Sequence, residues 1–268
     1  MAFNHTDKYT LGRGEVYFAP FKTGTETPGA ERYLGNTPEF NLTIEEEKLE
    51  HYSSDRGIKE KDRSISLQVN RSGSLVCDNI DIDNVAAFFF GSKSTITQSS
   101  LTVTDEVLTS VELGRYYPLG QSTSNPTGYQ NLDIHTAPST KIILTDSAGT
   151  TTYVEGTDYE IDLVTGRLYL KAGGSIVAGT NLKVDYKVKA STRSRVISGS
   201  QPIKGALRFL SQNPEGTLID YYMPYVTLAP NGDFALKSDE WQQIPFTIEV
   251  LKKSGMEAIY ADERSVAS

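Results

Sequence analysis

Ser64-Ile65-Ser66-Leu67-Gln68-Val69-Asn70 is the stretch that decides the fold. Apolar and polar residues alternate in it without a break. Ile65, Leu67 and Val69 point one way; Ser64, Ser66, Gln68 and Asn70 point the other. A period of two is that of a half-buried β-strand. Near the C-terminus, Phe246, Ile248 and Val250 alternate with Thr247 and Glu249 in the same manner. A one-sided sheet needs water beside its polar face.

Outward from this stretch, most of the chain reads as strand. Glu15 to Ala19 forms a first strand stopped by Pro20, and Arg32 to Leu49 is extended, with Phe40, Leu42 and Ile44 alternating with Asn41, Thr43 and Glu45. The pattern breaks at Glu45-Glu46-Glu47-Lys48, which signals a bulge or a strand end. His51 to Arg63 is a dense polar stretch, too long for a tight hairpin turn, and reads as a loop. One helix is expected, capped by Asp83, with Val85, Phe88 and Phe89 on its apolar face and Gly91 at its end. Ser92–Ser100 and Ser191–Gln201 read as polar linkers. Between them, short strands at 141–145, 152–154, 159–162, 167–170 and 181–188, with glycine turns, suggest a separate small β-sandwich. After it, strands are expected at 206–210, 217–228 and 241–251, with Pro230-Asn231-Gly232-Asp233 as a turn. Residues 1–12 and the tail from Gly255 read as arms. The expected organisation is a first domain in two parts, 1–101 and 191–268, interrupted by an inserted β domain at 102–190.

Composition narrows the function. The 268 residues are enough for one large or two ordinary domains. Fifteen Tyr and ten Phe against one Trp suit β structure. A net charge of −8 argues against a dedicated nucleic-acid binder, which needs a basic footprint. The acidity is spread: seven Lys+Arg face ten Asp+Glu between 101 and 190, and 19 face 24 elsewhere. One cysteine, Cys77, leaves no internal disulfide and reads as a small buried residue. No stretch has the apolar core of a signal peptide or the length of a membrane span, so the expected compartment is a cytosol. The sequons at Asn4, Asn41 and Asn70 are then chance matches.

Catalytic equipment is not visible. His5, His51 and His135 lie in three regions without ligand spacing, so no zinc site or other metal or cofactor is expected. A calcium loop beginning at Asn79 would need Gly at 84 and Glu at 90, where the chain has Asn84 and Phe90. There is no GxSxG elbow and no Walker loop. Glu45, Glu46, Glu47 and Glu249 could flank a sugar bond, but nothing places them across a cleft. Two readings of the acids stay open, a solvated sheet face and an anionic wall that lets nucleic acid slide past. His51–Arg63 is likewise either an exposed loop or a contact arm between subunits.

These residues resemble a known family. Arg32-Tyr-Leu-Gly-Asn-Thr-Pro-Glu-Phe-Asn-Leu-Thr-Ile44, Tyr52-Ser-Ser54, Arg63-Ser-Ile-Ser-Leu-Gln-Val69 and Asp83-Asn-Val-Ala-Ala-Phe-Phe-Phe-Gly91 look like the major tail tube proteins of long-tailed bacteriophages. So do Tyr225-Val-Thr-Leu-Ala-Pro-Asn-Gly-Asp-Phe234 and Glu240-Trp-Gln-Gln-Ile-Pro-Phe-Thr-Ile-Glu-Val-Leu251. The resemblance covers about 1–100 and 191–268. It implies an all-β fold with one flanking α-helix: a tail-tube β-sandwich or barrel, shared with type VI secretion tube proteins, here interrupted by a small immunoglobulin-like domain. It implies a structural virion protein and not an enzyme. Six copies would close a ring, and rings would stack into a tube, assembled in the host bacterial cytoplasm and kept in the virion tail. Implied partners are the tape-measure protein inside the tube, tail terminator and baseplate proteins at its ends, and DNA in transit. The inserted domain, expected to project from the outer wall, is read separately as either a binder of host-surface glycans or an ornament that adds stability or solubility.

Joined to that resemblance, the strand pattern assigns lumen-facing residues: Glu45, Glu47, Ser64, Ser66, Gln68, Thr247 and Glu249. The ring-stacking loop would comprise His51, Tyr52, Asp55, Arg56, Gly57, Lys59, Glu60, Lys61, Asp62 and Arg63. The rival reading is a two-domain carbohydrate-binding module or adhesin, its tyrosines serving as platforms for sugar rings.

Overall fold

A computed structural model describes residues 8–55, 57–136 and 138–264. In chain order the elements are β1 (Gly14–Pro20), β2 (Arg32–Tyr33), β3 (Glu39–Ser53), β4 (Glu60–Cys77), α1 (Ile82–Phe88), β5 (Ser92–Gln98), β6 (Leu101–Leu108), β7 (Arg115–Pro118), β8 (Leu132–Asp133), β9 (Ile143–Asp146), β10 (Tyr159–Asp162), β11 (Arg167–Leu170), β12 (Leu182–Val188), β13 (Ser191–Ile197), β14 (Ile203–Ser211), β15 (Ile219–Pro230), β16 (Ile244–Val250) and β17 (Tyr260–Glu263). The protein is all-β with one helix. It divides into two compact units, one formed by Met1–Ser94 with Val196–Ser268 and the other by Thr95–Arg195.

The first unit is built on one antiparallel sheet in the order β2-β1-β14-β15-β16-β4-β3, with β17 also on β15. It is a single sheet rather than two stacked ones. It curls, because Phe40 of β3 meets Phe209 of β14 at 5.9 Å between ring centroids across three intervening strands. It does not close, since β1 and β3 are not paired with each other. The concave face holds the core, including Val16, Phe18, Leu75, Leu207, Met223, Leu228, Phe246 and Ile248. α1 covers part of it, with Phe88 edge-on to Phe246 at 6.4 Å and to Phe234 at 5.6 Å. Cys77 is fully buried there, and desolvation pushes its thiol pKa up to about 12.

The helix is capped two residues earlier than expected and is closed at Gly91, as expected. Asp81 is the cap, its carboxylate accepting from the backbone N–H of Asp83 at 2.9 Å and of Asn84 at 2.7 Å. Asp83 lies in the first turn, where an acid favours the positive end of the helix. Arg32 binds Asp81 at 3.3 Å and Asn84 at 2.7 Å, and buried Asn84 donates to Leu34 O, which ties β2 to the helix start. At the other end Phe90, not Gly91, takes the left-handed conformation, with φ 51°. Phe90 N–H donates to Ala87 O and Gly91 N–H to Ala86 O, the paired bonds of a Schellman stop. Gly91 is required for a different reason. A Cβ there would lie 2.3 Å from Ile197 O.

Three other expectations are corrected. The two polar stretches taken as linkers are strands β5 and β13, which pair with each other. As far as Arg264 the tail after Gly255 is not an arm: Ala258 is buried, β17 pairs with β15, and Arg264 grips Asp220 through two nitrogens. Trp241 lies outside β16 and is almost wholly exposed. Of the expected N-terminal arm, residues 1–7 lie outside the described residues, and 8–13 are exposed and irregular up to β1.

The second unit has a three-stranded sheet, β10-β11-β7, and a four-stranded one, β6-β12-β8 with β9 also on β12. Both contribute to one core: Tyr159, Ile161, Leu168 and Leu170 from the first, Leu108, Leu132, Leu144, Leu182, Val184 and Tyr186 from the second. Tyr186 is fully buried and its hydroxyl is bonded to Glu106, whose carboxylate also accepts from Gly120 N–H at 2.9 Å. Burial, then Glu106, raises the Tyr186 pKa. The expected boundaries of 102 and 190 fall inside this unit; it also takes in most of β5 and β13.

Candidate functional site

The two longest strands, β3 and β4, form a hairpin that leaves the core behind. Their partner register is unbroken from Glu39↔Val76 to Glu47↔Gln68. Over this span the two faces differ in kind. One continues the core face: Phe40, Leu42 and Ile44 on β3, opposite Leu75, Gly73 and Arg71 on β4. The other carries Glu39, Asn41, Thr43, Glu45 and Glu47 opposite Val76, Ser74, Ser72, Asn70 and Gln68. β16 extends the second face, since Thr247 pairs with Ser74 and Glu249 with Ser72. The result is a wet face over three strands with four glutamates and no lysine or arginine. Its small Ser, Thr and Asn side chains leave the carboxylates unobstructed.

The sequence reading places Glu45, Glu47, Gln68, Thr247 and Glu249 on this face, and the structure brings those five together. Ser64 and Ser66 are not with them. The register shifts between Glu47↔Gln68 and Lys48↔Ser66, so Leu67 is an extra residue in β4. Beyond this bulge the side chains of β4 change sides. Ser66 Oγ accordingly bonds Glu46, which also pairs with Lys48 at 2.9 Å on the face opposite to Glu47. The unbroken alternation of 64–70 hides this, because the extra residue is itself apolar. Glu39, Asn41, Thr43, Asn70, Ser72 and Ser74 belong to the acidic face as well. The signal for Glu39, Asn41 and Thr43 was the alternation of 39–47, in which no odd position is apolar or basic; Asn70 was already on the polar side of the 64–70 pattern.

The apolar partners of that alternation are not buried. Ile65, Leu67 and Val69 are 60%, 59% and 43% exposed, and Ile44 and Leu49 are 64% and 58% exposed. Among the described residues, nothing covers either side of the hairpin from Asn41 to Tyr52 and from Glu60 to Asn70. At about 3.3 Å per residue this bare arm is on the order of 40 Å long. The bulge also moves its apolar side. Ile44 and Val69 lie on the core-facing side, whereas Leu49 and Ile65, paired beyond the bulge, lie on the acidic side.

The expected loop at His51–Arg63 is the tip of this arm. His51, Tyr52 and Ser53 belong to β3, and Glu60, Lys61, Asp62 and Arg63 to β4. The turn spans only residues 54–59 and contains Asp55, Gly57 with φ 81°, and Lys59. Arg56 lies outside the described residues. Strand was missed here because both faces are polar, so no period is visible. The tip is laced by polar contacts: the His51 ring Nδ1 lies 2.6 Å from Asp62 Oδ1, Lys61 is ion-paired with Glu50, and Tyr52 Oη donates to Glu50 at 2.5 Å. The Lys61 ammonium and then the Tyr52 hydroxyl hold the Glu50 carboxyl below its usual range.

Among the described residues no three His, Cys, Asp or Glu side chains converge as metal ligands, and no helix is long and apolar enough to cross a membrane. Fold and site define an all-β protein with a cation-free acidic sheet face and an unpacked hairpin arm. The chain belongs to the family described as protein of unknown function UCP028589, whose model matches residues 9–258. No curated protein matches the chain.

Proposed function

We propose that this protein is a structural subunit of a tail tube like that of long-tailed bacteriophages: six copies form a ring, and rings stack into a conduit for DNA. The acidic face of β3, β4 and β16 carries this reading. Wrapped around a bore, it would present glutamates and small hydroxyl or amide side chains to a passing polyanion. Such a wall repels phosphates and offers no counter-charge to hold them. The tape-measure protein would occupy the same bore before DNA.

The bare arm fits a subunit that completes itself in an assembly. Exposed apolar side chains on both sides of a hairpin, beside the open edge of β3, are a liability in a monomer. Docking on neighbouring copies would remove them from water, at roughly 25 cal/mol for each Å² of apolar surface covered. In this reading the arm contacts adjacent copies within and between rings, and its charged tip, His51 to Arg63, adds polar contacts to the next ring.

Electron microscopy of the concentrated, purified protein tests the proposal. Rings or tubes are the expected result. A strictly monomeric mass at every concentration, with no polymer after seeding with phage tails, overturns it.

A further inference from the structure

The second unit carries a surface patch that neither its core nor the acidic face explains. On the three-stranded sheet, Leu168, Leu170, Tyr159 and Ile161 face the core, and the alternate residues face solvent. Those alternates are Tyr116 on β7, Arg167 and Tyr169 on β11, and Glu160 and Asp162 on β10. Tyr116 pairs directly with Tyr169, their ring centroids 4.8 Å apart and tilted by 40°. The Arg167 guanidinium lies 4.5 Å from the centre of the Tyr116 ring. Beside these two groups, Tyr116 is still 56% exposed.

Around the rings lies a shallow cleft of about 310 Å³, lined by Tyr116, Tyr169, Glu160, Asp162, Thr165 and Arg167. That is the lower end of the range for small-molecule sites, ~300–1,000 Å³. The charges balance. Lys171 sits on Glu160 at 2.8 Å, and Arg167 stands beside Asp162. The Thr165 hydroxyl, at 2.6 Å, and backbone N–H groups keep the Asp162 carboxyl below its usual range, so it is a charged acceptor at neutral pH.

We infer that this patch is a binding site for an uncharged pyranose sugar. An aromatic body flanked by carboxylate acceptors and a guanidinium donor matches a sugar ring, which has C–H groups on its faces and hydroxyls around its rim. The absence of net charge favours a neutral sugar over an anionic one. The shallowness of the cleft makes a single site weak. This inference does not depend on the tail-tube reading, because it involves only the second unit.

Saturation-transfer NMR on the full-length protein tests it, with the methyl pyranosides of glucose, galactose, mannose and N-acetylglucosamine as probes. Transfer to at least one of them is expected, lost in Tyr116→Ala, kept in Tyr116→Phe and in Tyr33→Ala, an exposed tyrosine of the first unit. Should Tyr116→Ala fail to fold, Glu160→Gln is the second variant, and weakened transfer is expected. No transfer from any of the four sugars, or transfer that survives the loss of the Tyr116 ring or of the Glu160 charge in a folded variant, overturns the inference.

Discussion

Gly91 shows how a single residue is fixed by its surroundings rather than by its own conformation. It closes the Schellman stop of α1, but its φ is not positive; the left-handed position belongs to Phe90. What excludes a side chain is Ile197 O, 2.3 Å from where a Cβ would stand. That oxygen belongs to β13 and is not free to move. Gly91→Ala should therefore cost about 1–3 kcal/mol, as overpacking does, and thermal melting will register it as a drop of several degrees. The sequence identified Gly91 as the helix end but not the close approach of Ile197 O that requires it, and it put the cap two residues late. Asp81 and Asp83 are the same residue type, and only the hydrogen bonds to Asp83 and Asn84 N–H distinguish them. Cys77 was legible, since a lone cysteine is a small residue that is usually buried. Its raised thiol pKa implies a pH dependence. The unfolded thiol ionises near 9 and the folded one near 12, so stability is intact below pH 9 and is lost progressively as pH rises toward 12. A thiol reagent at pH 8 should label Cys77 only as fast as the protein unfolds; rapid labelling of the native state would contradict its burial.

The same contrast between pattern and context governs the elements. Strands with one apolar face on a core were readable: β10 and β11 run over the residues expected from sequence, and β1 and β12 differ by one residue at their ends. β5, β13 and the tip of the hairpin were missed because Ser, Thr, Lys, Arg and Glu fill both faces, and periodicity cannot report a strand without a buried side. The arm inverts the failure. Ile65, Leu67 and Val69 have the strongest strand pattern in the chain, yet the described residues supply nothing to bury them. If the arm docks on other copies, Leu49→Ser with Ile65→Ser should leave the melting temperature of the monomer nearly unchanged, since surface changes away from packed sites usually stay within about 0.5 kcal/mol. The same double variant should lose polymerisation, measured by light scattering or sedimentation. Tubes of normal yield from it would remove the arm from the assembly. On the acidic face, Glu249→Lys should spare both folding and tubes and add salt-sensitive retention of DNA, measured by binding to preformed tubes at rising salt. Tubes that ignore DNA equally with Glu249 and with Lys at that position would mean that this face does not line the bore.

At the scale of the whole chain, each unit has a core of its own, and the chain passes between them along β5 and back along β13. Because those two strands are paired, the points where the second unit leaves and re-enters are neighbours. A few glycines and serines can close such a gap at little entropic cost, since loop closure rises only slowly with length. The helix stop helps to hold the gap shut on the side of the first unit, where Gly199 N–H donates to Phe89 O at 3.0 Å and Gly91 packs on Ile197 O. None of these contacts involves residues 95–195. A chain in which a short Gly/Ser linker replaces 95–195 should therefore fold, keep a cooperative melting transition and leave Cys77 protected from thiol reagents. If the first unit alone builds the wall of a tube, the shortened chain should also form rings. Rings from it would assign assembly to the first unit and leave the second free for the sugar site. A folded, Cys77-protected chain that stays monomeric would instead place part of the ring contact in the second unit. Loss of the cooperative transition would mean that the two cores are not independent, and the division at Thr95 and Arg195 would then mark a difference in packing density rather than two folding units.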